Sequence, residues 1–174
     1  MIAFSRVLLR QPQKRRPFMS KNILIAFDDS ENAQRAVTAV AETFSRASRI
    51  TLFSVAMDTD ALCKMNSPEL TPYFKAQQSA FCTMADKKKE LVDTAIQQAK
   101  ETLVDKGFKE ENISVKHEDL KEGVARDIIR EAEDGYDVVV IGRRGTSGIK
   151  DFFFGSTSQK VLSAAINVSV FIIN

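Results

Sequence analysis

Gly142, Gly145 and Gly155, the last followed at once by Ser156, Thr157 and Ser158, stand directly behind an apolar run that ends at Ile141. Glycine permits a left-handed backbone and lets a ligand come close to the main chain. Hydroxyl residues that open a helix add N–H donors and the positive end of the helix dipole. Gly-x2-Gly-x9-Gly-Ser after a buried strand therefore describes a cradle for phosphate. Near the other end of the chain Asp28 closes a second apolar run, residues 23–27, and Ser30 follows in position to cap a helix. A carboxylate there can accept from a ribose hydroxyl or hold a divalent metal through water; its plainer role is a turn aspartate bonded to neighbouring amides. Ser156 has two readings as well, as the cap of its own helix or as a phosphate contact.

Arg143 and Arg144 fill the two positions between the first glycines. Guanidinium groups at the rim of such a site can pair with phosphate oxygens, or they can remain solvated loop charges. The chemistry stops at binding. The chain has no Gly-x4-Gly-Lys-(Ser/Thr), so no P-loop lysine reaches a transferring phosphate. His117 is the only histidine, which leaves no Ser-His-acid or Cys-His grouping, and it reads as a half-buried strand position. No residue is assigned a catalytic role, and little or no hydrolysis is expected. Cys63 and Cys82 have neither metal-ligand nor framework spacing and read as reduced thiols.

The elements that must position these groups follow from periodicity. Strands are expected at residues 23–27, 50–55, 113–117, 137–141 and 168–173. Helices are expected after Ser30, where Ala33, Ala36, Val37, Val40, Ala41 and Phe44 recur at helical spacing, and over a long stretch ending near Lys106 at the stop signal Gly107. Two more cover residues 124–133 and 156–165, while 56–71, broken by Asp58, Asp60 and Pro68, reads as a loop. Strands alternating with helices argue for an α/β protein with a parallel, doubly wound sheet, whose ligands sit beyond the carboxyl ends of the strands.

The glycine–serine array and the segment from Ile23 to Val37, ILIAFDDSENAQRAV, resemble the two signature segments of the universal stress protein family, in the family's order and over roughly residues 21–174. The resemblance implies a five-stranded sheet of order 3-2-1-4-5 flanked by about four helices, with Asp28 and Gly142 meeting at the reversal of strand order. It also implies an adenine nucleotide, ATP or AMP, with a divalent metal possible beside it. The residues carried over are Ala26, Phe27, Asp28 and Val55 from the first half, and Ile141, Gly142, Arg143, Gly145, Gly155, Ser156 and Thr157 from the second. The family further implies a homodimer through the last strand, with which Val168, Val170 and Ile172 are compatible. The Phe152–Phe153–Phe154 run cannot face inward as a whole, so one ring is available to a partner subunit. The implied function is a cytoplasmic stress-response sensor or regulator. The alternatives are an ATP-using transferase of the same fold with a second site under residues 56–85, or an interaction protein independent of nucleotide.

Charge gives no support to nucleic acid as a partner. The formal +2 arises because residues 1–19 carry five basic and no acidic side chains; the remaining residues hold 20 basic against 23 acidic. A mildly acidic domain lacks the basic face that nucleic acid requires. No apolar run approaches the length of a membrane span. Residues 1–20, Arg-rich and faintly like a transit peptide, are expected to be a disordered extension or an upstream start, and residues 21–174 a single nucleotide-binding domain.

Overall fold

The computed structural model describes residues 20–66, 71–146 and 154–174. The expected extension, apart from Ser20, and Phe152 and Phe153 of the phenylalanine run lie outside the described residues. The order of elements is β1 (Asn22–Ala26), α1 (Glu31–Thr43), β2 (Arg49–Ala56), α2 (Asp60–Cys63), α3 (Pro72–Asp105), a 3-10 turn (Glu110–Asn112), β3 (Ile113–Asp119), α4 (Val124–Ala132), β4 (Val138–Gly142), α5 (Ser156–Ala164) and β5 (Ser169–Ile173). Among the described residues the five strands form one parallel sheet of order β3-β2-β1-β4-β5. The doubly wound architecture and its strand order are those expected.

The two central strands read as unbroken apolar runs because helices cover both faces of the sheet. Successive side chains alternate between the faces. Ile23 and Ile25 of β1, with Val138 and Val140 of β4, pack on one side against Ala36, Val37 and Val40 of α1 and Ile96 and Leu103 of α3. Leu24 and Ala26, with Val139 and Ile141, pack on the other side against Ile128 and Ala132 of α4 and Val161 of α5. Pairing sets Ala26 beside Phe53 of β2 and beside Ile141 of β4, so three strand ends lie in line.

Local signals start and stop the helices. The Ser30 hydroxyl accepts from the Ala33 amide at 3.2 Å and caps α1, whose Ala33, Ala36, Val37, Val40 and Ala41 are buried. The Thr71 hydroxyl caps α3 through the Phe74 amide, Pro72 takes the first helical position, and Gly107 ends the helix with φ +93°. At 34 residues α3 is about 51 Å long. Its buried residues, Ile96, Ala99 and Leu103, all lie in its C-terminal half. Tyr73 and Met84 in its first half are more than 70% exposed.

Before α4, the buried Asp127 carboxylate accepts from the amides of Lys121 (3.0 Å) and Glu122 (3.3 Å) and pairs with Arg130. The Lys121 amide is the main reason that this carboxyl sits below its usual range, with help from the Glu122 amide and Arg130.

Three expectations need correction. Cys63 and Cys82 are joined in a disulfide, not held as separate thiols. Residues 56–71 are not all loop: the single turn of α2 folds back along α3, which brings two cysteines 19 positions apart to a Cα separation of 5.8 Å. Nothing in the spacing signals that approach. His117 is exposed rather than half-buried, because β3 is an edge strand; its Nδ1 lies 2.8 Å from the Ser54 hydroxyl on β2.

Candidate functional site

The chain leaves β1 toward α1 on one face of the sheet and leaves β4 toward α5 on the other, so the adjacent β1 and β4 open a crevice at their carboxyl ends. The crevice has a volume of about 290 Å³. Its apolar wall is built from Ala26, Phe27, Phe53, Val55, Ile141, Val124 and Ile128. The opposite side is polar: Asp28, Gly142, Arg144, Gly145 and Thr146, then Gly155, Ser156, Thr157 and Ser158 at the start of α5. Of the residues expected to form a site, Ala26, Phe27, Asp28, Val55, Ile141, Gly142, Gly145, Gly155, Ser156 and Thr157 come together here. Arg143 does not line the crevice and Arg144 does.

The glycines are required for close approach, not for an unusual backbone. Among the described residues positive φ occurs only at Gly107, Gly123 and Gly135. A Cβ on Gly142 would stand 2.7 Å from the Asn32 Cβ and 3.0 Å from its carbonyl carbon. Gly142 thus lets the first turn of α1 rest directly on the end of β4. A Cβ on Gly145 would meet the Asp28 carboxylate at 2.8 Å, whereas one on Gly155 would make ordinary van der Waals contact with the backbone of Arg143 and Arg144 at 3.4 Å.

Backbone bonds hold the two glycine segments together. The Arg143 amide donates to the Ile173 carbonyl at 2.6 Å, and the Arg143 carbonyl accepts from the Gly155 amide at 2.9 Å. The buried Ser158 hydroxyl donates to that same carbonyl at 2.7 Å and approaches the Gly155 carbonyl at 3.0 Å. The Arg143 carbonyl therefore pins the start of α5 to the end of β4. Gly155, not Ser156, occupies the cap position of α5, and among the described residues no side chain caps that helix. Its first amides lack intrahelical partners and carry the positive end of the dipole. Ser156, at the first helical position and exposed, is left available to a ligand.

Asp28 fills its role as a turn aspartate and also lines the crevice. One carboxylate oxygen accepts from the Ser30 amide at 3.1 Å, as a turn aspartate does, and the other faces Gly145 across the crevice. Two contributors escape a reading of the sequence. The Asn32 side chain donates to the Arg144 carbonyl at 3.0 Å and fixes the loop that follows β4. Lys88 of α3 reaches the crevice and forms an ion pair with Asp29. Ser158 serves the scaffold rather than the opening. An asparagine in a first helical turn and a lysine on an exposed helix are ordinary residues, so neither carries a local signal. Among the described residues no group of three or more His, Cys, Asp or Glu is placed to hold a metal ion.

Comparison with known proteins follows the same outline. The sequence pattern of the universal stress protein family matches residues 19–173. No curated protein matches the chain. Universal stress protein UspA from Lactobacillus plantarum is similar in structure with a TM-score of 0.66 and 21% identity, over 88% of this chain and 97% of that one. Hypothetical protein MJ0577 gives a TM-score of 0.62 and 23% identity, over 89% and 96%. A universal stress protein solved in complex with cAMP gives 0.57 and 12%, over 90% and 98%. At such identities the structures speak for the fold, while the family pattern spans almost the whole sequence. The chain belongs to the universal stress protein family.

Proposed function

We propose that this protein binds an adenine nucleotide, ATP or AMP, in the crevice between β1 and β4 and acts as a stress-response sensor or regulator with little or no hydrolysis. One observation carries the reading: the uncapped start of α5 stands across the strand-order reversal from Asp28, beside a wall of apolar side chains. Each part matches a part of the ligand. Ala26, Phe27, Val55 and Ile141, with Val124 and Ile128, offer an apolar slot of the kind a purine fills. The Asp28 carboxylate accepts from ribose hydroxyls, or from the water shell of a divalent ion carried by the phosphates. The amides of Ser156 and Thr157 and the Ser156 hydroxyl donate to phosphate oxygens, and Gly145 and Gly155 keep the approach clear. Arg144 adds charge at the rim; Arg143, which does not line the crevice, is given no contact. That a structural relative was solved with cAMP supports an adenine nucleotide as the class of ligand.

The same residues argue for holding a nucleotide rather than consuming it. The sequence carries no P-loop lysine, and Asp28, the carboxylate on the described lining, already accepts from the Ser30 amide. Assembly as a homodimer through β5 is part of the proposal. Val170, Phe171, Ile172 and Ile173 are half-buried on an edge strand whose free side can pair with a second copy. A cytoplasmic location is proposed on the family's account; among the described residues no helix is long and apolar enough to cross a membrane. Equilibrium dialysis against ATP, AMP and cyclic AMP tests the site. Saturable binding in the micromolar range is expected, and no binding below the millimolar range overturns it. Sustained release of phosphate or AMP from labelled ATP would favour a transferase instead.

A further inference from the structure

We propose that Cys63 and Cys82 form a reversible redox site that sets how tightly the crevice holds its nucleotide, acting through Lys88. The proposal rests on the nucleotide reading above. Cys63 is the last residue of α2, on the chain that leaves β2 just beyond Val55, itself part of the crevice wall. Cys82 lies in the exposed first half of α3, and both cysteines are partly accessible. Around their bond the Gln78 side chain donates to the carbonyls of Leu62 and Met65, so α2 is held to α3 over one turn of the long helix. Lys88 lies six residues further along α3, a rise of about 9 Å. From there its ammonium reaches the crevice and pairs with Asp29, the neighbour of Asp28.

The first half of α3 has little else to hold it. Its first fully buried residue is Ile96, eight positions beyond Lys88. A helical stretch without tertiary packing is marginal in water. The disulfide and the Gln78 contacts close the chain upstream of Lys88, the Lys88–Asp29 pair closes it at the crevice, and the two restraints support each other. When the disulfide is reduced, α2 is held to α3 by the Gln78 contacts without the covalent link, and the helix between Pro72 and Lys88 frays more readily. A nucleotide then meets a cation that must be ordered as it binds, and that ordering weakens affinity.

The chemistry balances with a small disulfide as oxidant. The thiolate of one cysteine attacks RSSR and displaces RS⁻, leaving a mixed disulfide. The second thiolate attacks the protein-bound sulfur of that bond and expels the second RS⁻. The protein dithiol loses two electrons and two protons, and RSSR becomes two RSH; a dithiol reductant reverses both steps.

The test is calorimetric titration of the full chain with ATP, in the oxidised form and after reduction with dithiothreitol. Reduction is expected to weaken ATP binding about fivefold. Lys88→Met in the oxidised form should bind as weakly as the reduced protein and show no further response to reduction. Thiol counting by mass spectrometry should show Cys63 and Cys82 pairing after incubation with oxidised glutathione and opening with dithiothreitol. Equal affinity in the two redox states overturns this proposal and leaves the nucleotide site standing. A full redox response in Lys88→Met overturns the route through Lys88, and thiols that do not pair overturn the redox site. No ATP binding in either state overturns the nucleotide reading and this inference with it.

Discussion

The Asn32 side-chain amide donates to the Arg144 carbonyl at 3.0 Å while the Asn32 Cβ occupies the space that a side chain on Gly142 would need. One residue of α1 thus both excludes bulk at the end of β4 and fixes the loop beyond it. Gly142→Ala would force the first turn of α1 away, since one of the clashing atoms belongs to the backbone. A loss of about 1–3 kcal/mol in urea denaturation is expected, the usual cost of overpacking. Weaker nucleotide binding should accompany it.

Gly145→Ala should behave differently. Its added methyl group meets the Asp28 carboxylate, which can swing aside, so stability should stay within about 0.5 kcal/mol of the parent. The displaced carboxylate should then lower ATP affinity about tenfold, or 1.4 kcal/mol, by isothermal titration. A large fall in stability with unchanged affinity would assign Gly145 to the scaffold.

The two serines at the start of α5 separate in the same way. Ser158→Ala removes a buried hydroxyl from the Arg143 carbonyl and should cost about 1 kcal/mol of stability. Ser156→Ala removes no side-chain bond among the described residues and should leave the melting curve in place while weakening ATP binding several-fold. Comparing thermal melts and dialysis for both variants checks this directly.

Arg144→Ala should weaken ATP binding more than adenosine binding, because a rim guanidinium acts on phosphate charge. Arg143→Ala should change neither, since its side chain does not line the crevice. Equal losses for both ligands in Arg144→Ala would remove the electrostatic role.

Acid should loosen the turn before α4. The Lys121 and Glu122 amides and Arg130 favour the charged form of Asp127, so its folded pKa lies below the unfolded value near 3.9. The folded protein resists protonation there. The stability from this group is therefore complete above about pH 4 and is lost as pH falls through the folded pKa. Asp127→Asn should be less stable than the parent at pH 7, with the difference shrinking in denaturation curves taken at progressively lower pH. A constant difference across that range would show that the charge of Asp127 contributes nothing.

Much of this architecture is legible residue by residue. β1 and β4 announce themselves because residues such as Leu24, Ile25, Val139 and Val140 are buried on alternate faces with no polar interruption. Ser30 and Gly107 mark helix ends through their own short-range chemistry. Element ends shift by a residue or two: β3 runs on to Asp119 because its pairing with β2 continues to Ala56. The α2 turn and its disulfide leave no such trace, since neither depends on a repeating pattern.

The sequence by itself determined the order of strands and helices, the two apolar runs at the centre of the sheet, and the glycine–serine array behind the second of them. These depend on side-chain periodicity and on the preferences of single residues, which act over a few positions of chain. Only the tertiary structure decided which distant groups meet: Asn32 against Gly142, Lys88 with Asp29, Cys63 with Cys82, and Arg144 rather than Arg143 at the crevice. It also changed the reason for the glycines, from backbone freedom to room for Asn32 and Asp28. Periodicity tells which side of an element faces inward. Which residue stands opposite depends on how elements far apart in the chain are stacked.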